Sequence, residues 1–219
     1  MAEFARGLCS PGSLESAPVP TQRSLSDLVV PGRLVELSGS GNSARTSTAV
    51  SLLRYAQQRG ETSAWIQSRN GSLFPPDLAD CGVDLDALIV VHIPALAGPH
   101  AKIRAAEILL RSTAYGLIVL DLSKDIPPGS PSAWQGRLLG LARQHTSRIL
   151  ILTRSTQHES SLGPLIALRV DSRRHEERSP TGSTSFRIDH EILKNKSSIP
   201  IDPVAHYGLA PWMNSQEPQ

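Results

Sequence analysis

RLVELSGSGNSARTSTAVSLLRYAQQRG, residues 33–60, carries three signals in one run. An apolar stretch at 33–38 has the length of a strand, and Gly39 and Gly41 open a loop. From about residue 45, Ala49, Val50, Leu53 and Ala56 recur at the three/four spacing of a helix face, and Gly60 stops the pattern at its C-terminus. Strand, loop and helix in this order are the setting of a phosphate-binding loop, G-x-x-x-x-G-K-[ST]. The spelling departs from that motif. Ala44 stands where the second glycine belongs and Arg45 where the lysine belongs, while Thr46 keeps a hydroxyl able to ligate magnesium. Backbone N–H groups of Gly39, Ser40, Gly41, Asn42 and Ser43 could still cradle phosphate oxygens at the helix start. A forked, planar guanidinium does not replace a compact ammonium. If position 44 needs φ > 0, alanine costs about 1 kcal/mol there relative to glycine.

Further apolar runs follow at 63–67, 88–93, 116–121, 148–153 and 165–170, several apolar throughout, as strands buried on both faces must be. Helix patterns separate them at 99–113 (Ile103, Ala106, Leu110) and 133–145 (Leu138, Leu141, Ala142). The segment 184–193 alternates and is placed antiparallel to 165–171, across a turn within RHEERSPTGS, 174–183. The alternation predicts a three-layer α/β domain with a mostly parallel central sheet, right-handed crossovers and an antiparallel C-terminal edge. That core is placed at residues 24–209. A proline-bearing arm is expected at 1–23 and a loose tail at 210–219, with Trp212 as its one candidate anchor.

The 219 residues are 39% hydrophobic and 19% charged, a globular composition, and aromatics are only 4%, so aliphatic side chains must build the core. A formal charge of +2 gives no global footprint for nucleic acid. Cys9 and Cys81 stand alone, as reduced thiols do, and no run reaches the length of a membrane span. The expected location is cytoplasmic. Seven histidines show no metal-ligand spacing, and no G-x-S-x-G elbow is present.

PGRLVELSGSGNSARTSTAVSLLRYAQQRGETSAWI followed by CGVDLDALIVVHIP resembles the core of the RecA recombinase family. YGLIVLD, ending in Asp121, is similar to its Walker B strand, and ILKNKSSIP (192–200) to its last core strand and the basic segment beyond. The resemblance runs from about Ser24 to Pro203. It implies a RecA-like core, and it makes the departures informative. The acidic residue that activates water in the family falls on Arg69, and the polar pair that senses the terminal phosphate falls on Thr153 and Arg154. Asp121 remains as a Walker B-like partner for magnesium through water. Phosphoryl transfer rests on positioning and charge stabilisation, so these losses predict no efficient hydrolysis. No cofactor is expected, ATP and magnesium included.

The stretches matching the family's DNA loops, 123–133 and 155–164, offer no basic groove with stacking aromatics, so direct DNA binding is expected to be weak or absent. Trp134 is read as core, DSRRHEER (171–178) as a solvated hairpin tip, and Lys194 and Lys196 as candidates to touch a RecA protomer. A RecA core without hydrolytic residues, DNA loops or terminal domain resembles the ImuA family, also called SulA-like. That resemblance implies an accessory factor of SOS-induced translesion synthesis whose partners are an ImuB-type polymerase homologue and RecA, with an error-prone replicative polymerase reached indirectly. The alternatives are a recombinase-like ATPase with a degenerate phosphate loop and a SulA-like inhibitor of cell division.

Overall fold

The computed structural model describes residues 24–41, 43–71, 73–98, 100–124, 126–178, 184–196 and 204–207. The arm at 1–23, the tail at 210–219, Cys9 and Asn42 lie outside the described residues, as does the end of the basic segment at 197–200.

Along the chain run α1 (Leu25–Leu28), β1 (Leu34–Ser38), α2 (Arg45–Gln58), β2 (Ser63–Ser68), α3 (Pro75–Asp80), β3 (Leu88–Ile93), α4 (Ala101–Arg111) and β4 (Leu117–Asp121). They continue with α5 (Ser132–Gln144), β5 (Arg148–Leu152), β6 (Ile166–Arg178), β7 (Thr184–Asn195) and β8 (Val204–Tyr207). One sheet takes all the described strands in the order β3-β2-β4-β5-β1-β6-β7-β8. Pairing is parallel from β3 through β6 and antiparallel for β6–β7 and β7–β8.

The period-two rule explains why the inner strands read as apolar throughout. Val35, Leu37, Trp65, Val119, Leu150 and Leu152 point to the face covered by α1, α2 and α3. Leu34, Ala64, Ile66, Ile118, Leu120, Ile149 and Ile151 point to the face covered by α4 and α5. The three layers and the antiparallel edge are those expected from the sequence. α2 ends as its sequence indicates: Gly60, at φ +77°, donates to Gln57 O and Glu61 N–H donates to Ala56 O, the Schellman pairing that satisfies the last carbonyls.

Two expectations are corrected. β3, although apolar, lies at the sheet edge and leaves Ile89 47% exposed, so it is not buried on both faces. Residues 171–178 are no hairpin tip, because β6 runs through Arg178 in register with β7, Arg178 opposite Thr184. Polar pairs line this ribbon: within β6 Arg173 bonds Asp171 at 3.0 Å, and across to β7 Arg173 meets Glu191 at 3.7 Å and His175 lies 3.3 Å from Asp189. No helix among the described residues is long and apolar enough to cross a membrane.

Candidate functional site

The phosphate-loop residues, Arg69, Asp121, Thr153 and Arg154 lie at or just after the carboxyl ends of parallel strands, where open α/β sheets place their ligand sites. The loop after β1 is glycine-dependent at its start. Gly39 has φ +147°, and a Cβ on it would strike the Ser43 side chain and stand 3.0 Å from Asp171 Oδ1. Gly41 also takes positive φ, at +60°. Ala44 does not: it sits at φ −94°, is buried, and bears no glycine penalty.

The loop is closed by its own groups. Ala44 N–H donates to Ser172 O at 2.8 Å, and Arg45 N–H to Ser43 Oγ at 3.2 Å. Ser43 Oγ in turn donates to Ser172 O at 3.3 Å, and Ser43 forms an isolated antiparallel bridge with Arg173. Two backbone donors that a phosphate would need are thus already satisfied. The Arg45 side chain folds back over the loop, Nη1 donating to Gly39 O at 2.7 Å and Nε to Ser123 Oγ at 3.3 Å. Burial draws the Arg45 pKa below its ordinary value, Asp121 opposes that, and Arg154 adds to it. The group stays charged. Thr46 lies beside it on the wall of the cleft.

At the end of β4, Asp121 Oδ1 accepts the Ser123 N–H at 2.9 Å, and its main-chain oxygen accepts Lys102 Nζ, also at 2.9 Å. Lys102 reaches in from α4 and is 4% exposed. A divalent cation held at Asp121 would therefore stand among Arg45, Lys102 and Arg154. The donor set suits an anion better than a metal. Among the described residues no three His, Cys, Asp or Glu side chains group as metal ligands.

Thr153, read as part of a lost phosphate sensor, is buried and donates to Glu36 Oε1 at 2.8 Å. Glu36 Oε2 accepts the Leu162 N–H at 2.9 Å, and Arg169 Nε lies 3.8 Å from Oε1. Arg169 continues outward, bonding Ser38 Oγ at 3.1 Å, Thr156 O at 2.7 Å and Glu159 O. From the other side Lys194 Nζ donates to Ser161 Oγ at 2.7 Å and to Gly163 O at 3.1 Å, and Lys196 bonds Pro164 O. Burial lowers the Lys194 pKa, Lys196 adds to this and Glu36 opposes it. The stretch 155–164 is therefore stapled along its length. Lys194 and Lys196 point their ammonium groups at this loop. Trp134 is buried at 3% exposure among the side chains of α4 and α5, a core residue rather than a stacking platform.

Sequence reasoning missed Glu36 and Arg169. The signal available was a single charge inside each of two apolar strands, LVEL and IALRV, which is costly to bury unless paired. It also passed over Lys102, whose amphipathic helix gave no hint that a lysine faces inward.

No family model matches the chain. The chain is similar to the RecA proteins of Kineococcus radiotolerans and Clostridium acetobutylicum, 37% identical to each over 90 residues, 41% of this chain and 25% of theirs. Against the RecA protein of Lactobacillus delbrueckii subsp. bulgaricus the identity is 25% over 203 residues, covering 77% of this chain and 59% of that one. The chain thus spans between a quarter and three-fifths of the length of these RecA proteins. It is RecA-like in sequence over part of its length, and its mostly parallel sheet with an antiparallel edge fits that likeness.

Proposed function

We propose that this RecA-like chain is a non-catalytic accessory factor in SOS-induced translesion DNA synthesis, of the ImuA type. It acts by contacts with an ImuB-type polymerase homologue, with RecA, or with both. The observation that carries this reading is the loop after β1. Ser43 and Ser172 take the Arg45 and Ala44 N–H groups, and the Arg45 guanidinium covers Gly39 O where a nucleotide's phosphates would need access. Arg69 and Arg154 in place of an acid and a neutral amide argue in the same direction, since neither activates water nor senses a phosphate through a neutral contact.

Shape supplies the mechanism. RecA subunits stack head to tail, a heterologous contact, and a look-alike that fits one face but cannot continue the stack ends a growing filament. β3 is the edge strand among the described residues, with Ile89 exposed on it, and such an edge offers backbone groups for a contact of this kind. The test is a pull-down of purified ImuB homologue and RecA, with RecA strand exchange measured as this protein is titrated in. Retention of either partner, with a dose-dependent change in exchange, is expected. Association with neither and unchanged exchange overturns the reading.

A further inference from the structure

Two cavities, of about 370 Å³ and about 220 Å³, adjoin at the carboxyl ends of β2, β3 and β4 and share Ser68, Lys102 and Lys124 as walls. Arg69 opens onto the larger one; Arg45 and Arg154 line the smaller. Against these five cations the described walls carry one acid, Asp121, already engaged by the Ser123 N–H. The hydrogen bonds that order the cations go largely to uncharged oxygens. Arg45 reaches Gly39 O and Lys124 Nζ reaches Asn70 O at 3.1 Å, so neutral acceptors order them, and Asp121 is the one acid that offsets Arg45. Among the described residues, the side chains of Arg69 and Arg154 have neither a hydrogen-bond nor an ion-pair partner. Ile93, Pro94 and Ala95 give the larger cavity an apolar part of its wall.

We propose that this cleft binds the phosphate group of a small phosphorylated molecule without a divalent metal. Arg69, Lys124 and Arg154 serve as its ligands, and the Ile93–Ala95 wall packs the rest of the molecule. The position is beside the cradle of the phosphate loop, because two of the loop's own donors, the Ala44 and Arg45 N–H groups, are spent on Ser172 O and Ser43 Oγ. Guanidinium and ammonium groups supply the charge that magnesium would otherwise supply, and the unengaged forks of Arg69 and Arg154 suit the oxygens of a phosphate dianion. A nucleic-acid strand is a poorer fit. The cavity has the size of a small-molecule pocket, and its described walls contain no aromatic side chain on which bases could stack. The inference is independent of the partner-binding reading, which survives its failure.

The experiment is calorimetric titration of the full chain with inorganic phosphate, pyrophosphate and AMP in EDTA. Saturable one-to-one binding is expected with Kd in about the millimolar range or tighter, weakening as salt is raised. Arg154→Gln and Arg69→Gln, both exposed positions, should each weaken it about tenfold, the size of one charged hydrogen bond, with thermal stability unchanged. Ser43→Ala, which alters the loop alone, should leave the affinity as it was. AMP binding more tightly than inorganic phosphate would support the apolar wall's role. No saturable binding, a requirement for magnesium, indifference to both arginine substitutions, or a shift in affinity with Ser43→Ala overturns the proposal.

Discussion

Replacing Glu36 by alanine should be among the most damaging single changes in the chain. The carboxylate is fully buried and accepts from Thr153 Oγ1 and the Leu162 N–H, with Arg169 Nε 3.8 Å away. Its removal strands a guanidinium that is 3% exposed, and breaking a buried pair from one side costs about 3–5 kcal/mol. For a chain of this size each kcal/mol moves Tm by about 2–4 °C, so a loss near 4 kcal/mol lowers it by about 8–16 °C. Thermal and urea unfolding followed by circular dichroism read this directly. Hydrogen exchange should quicken at 155–164, the loop that Glu36 and Arg169 staple. Pairing Glu36→Leu with Arg169→Met removes both charges, so the double variant should be far more stable than the sum of the two single losses. A loss under about 1 kcal/mol for Glu36→Ala, or strict additivity in the double variant, would refute a buried, coupled pair.

His190 should make stability depend on acid pH. It is buried, its Nδ1 lies 3.0 Å from Ser172 Oγ, and burial, opposed by Asp189, pushes its pKa down to about 4 from an ordinary 6.5. The unfolded chain takes up the proton near pH 6.5 and the folded chain only near pH 4. Stability from this group is therefore complete above about 6.5 and lost as pH falls to about 4, by about 3 kcal/mol in all. Urea midpoints between pH 7 and 4 check it, and His190→Leu should flatten that window. Gly39→Ala should cost about 1–3 kcal/mol, because it joins positive φ to a Cβ overlapping the Ser43 side chain, whereas Gly140→Ala, at a helix site with open space, should not destabilise. Restoring the motif with Ala44→Gly and Arg45→Lys should not confer hydrolysis, since Arg69 and Arg154 remain; a steady-state phosphate-release assay reports the outcome.

The sheet was legible because its strands are short apolar runs separated by amphipathic helices, a pattern that local chemistry imposes on any doubly covered sheet. Burial of β3 was misjudged because apolar composition does not distinguish a central strand from an edge; only the strand order does. The short α1 and α3 escaped detection for want of periodicity, although Ser24 N–H bonding Asp27 and Pro75 opening α3 are start signals visible in the chain. The loop's departures at Ala44 and Arg45 could be read directly, but not that Ser43 and the Ser172 carbonyl fill the cradle, since Ser172 lies 129 residues away from Ser43. Long-range pairs such as Glu36 with Arg169 were hidden for the same reason: each charge alone reads as an oddity, and only the β1–β6 register joins them.

The most direct test of a closed loop without phosphoryl-transfer chemistry is ATP hydrolysis by the purified full chain, with magnesium and with or without single-stranded DNA. A RecA protein assayed in parallel provides the active reference. Phosphate release no faster than that of buffer, and the same for Asp121→Ala, is expected. Turnover by the wild-type chain that disappears on Asp121→Ala would contradict it.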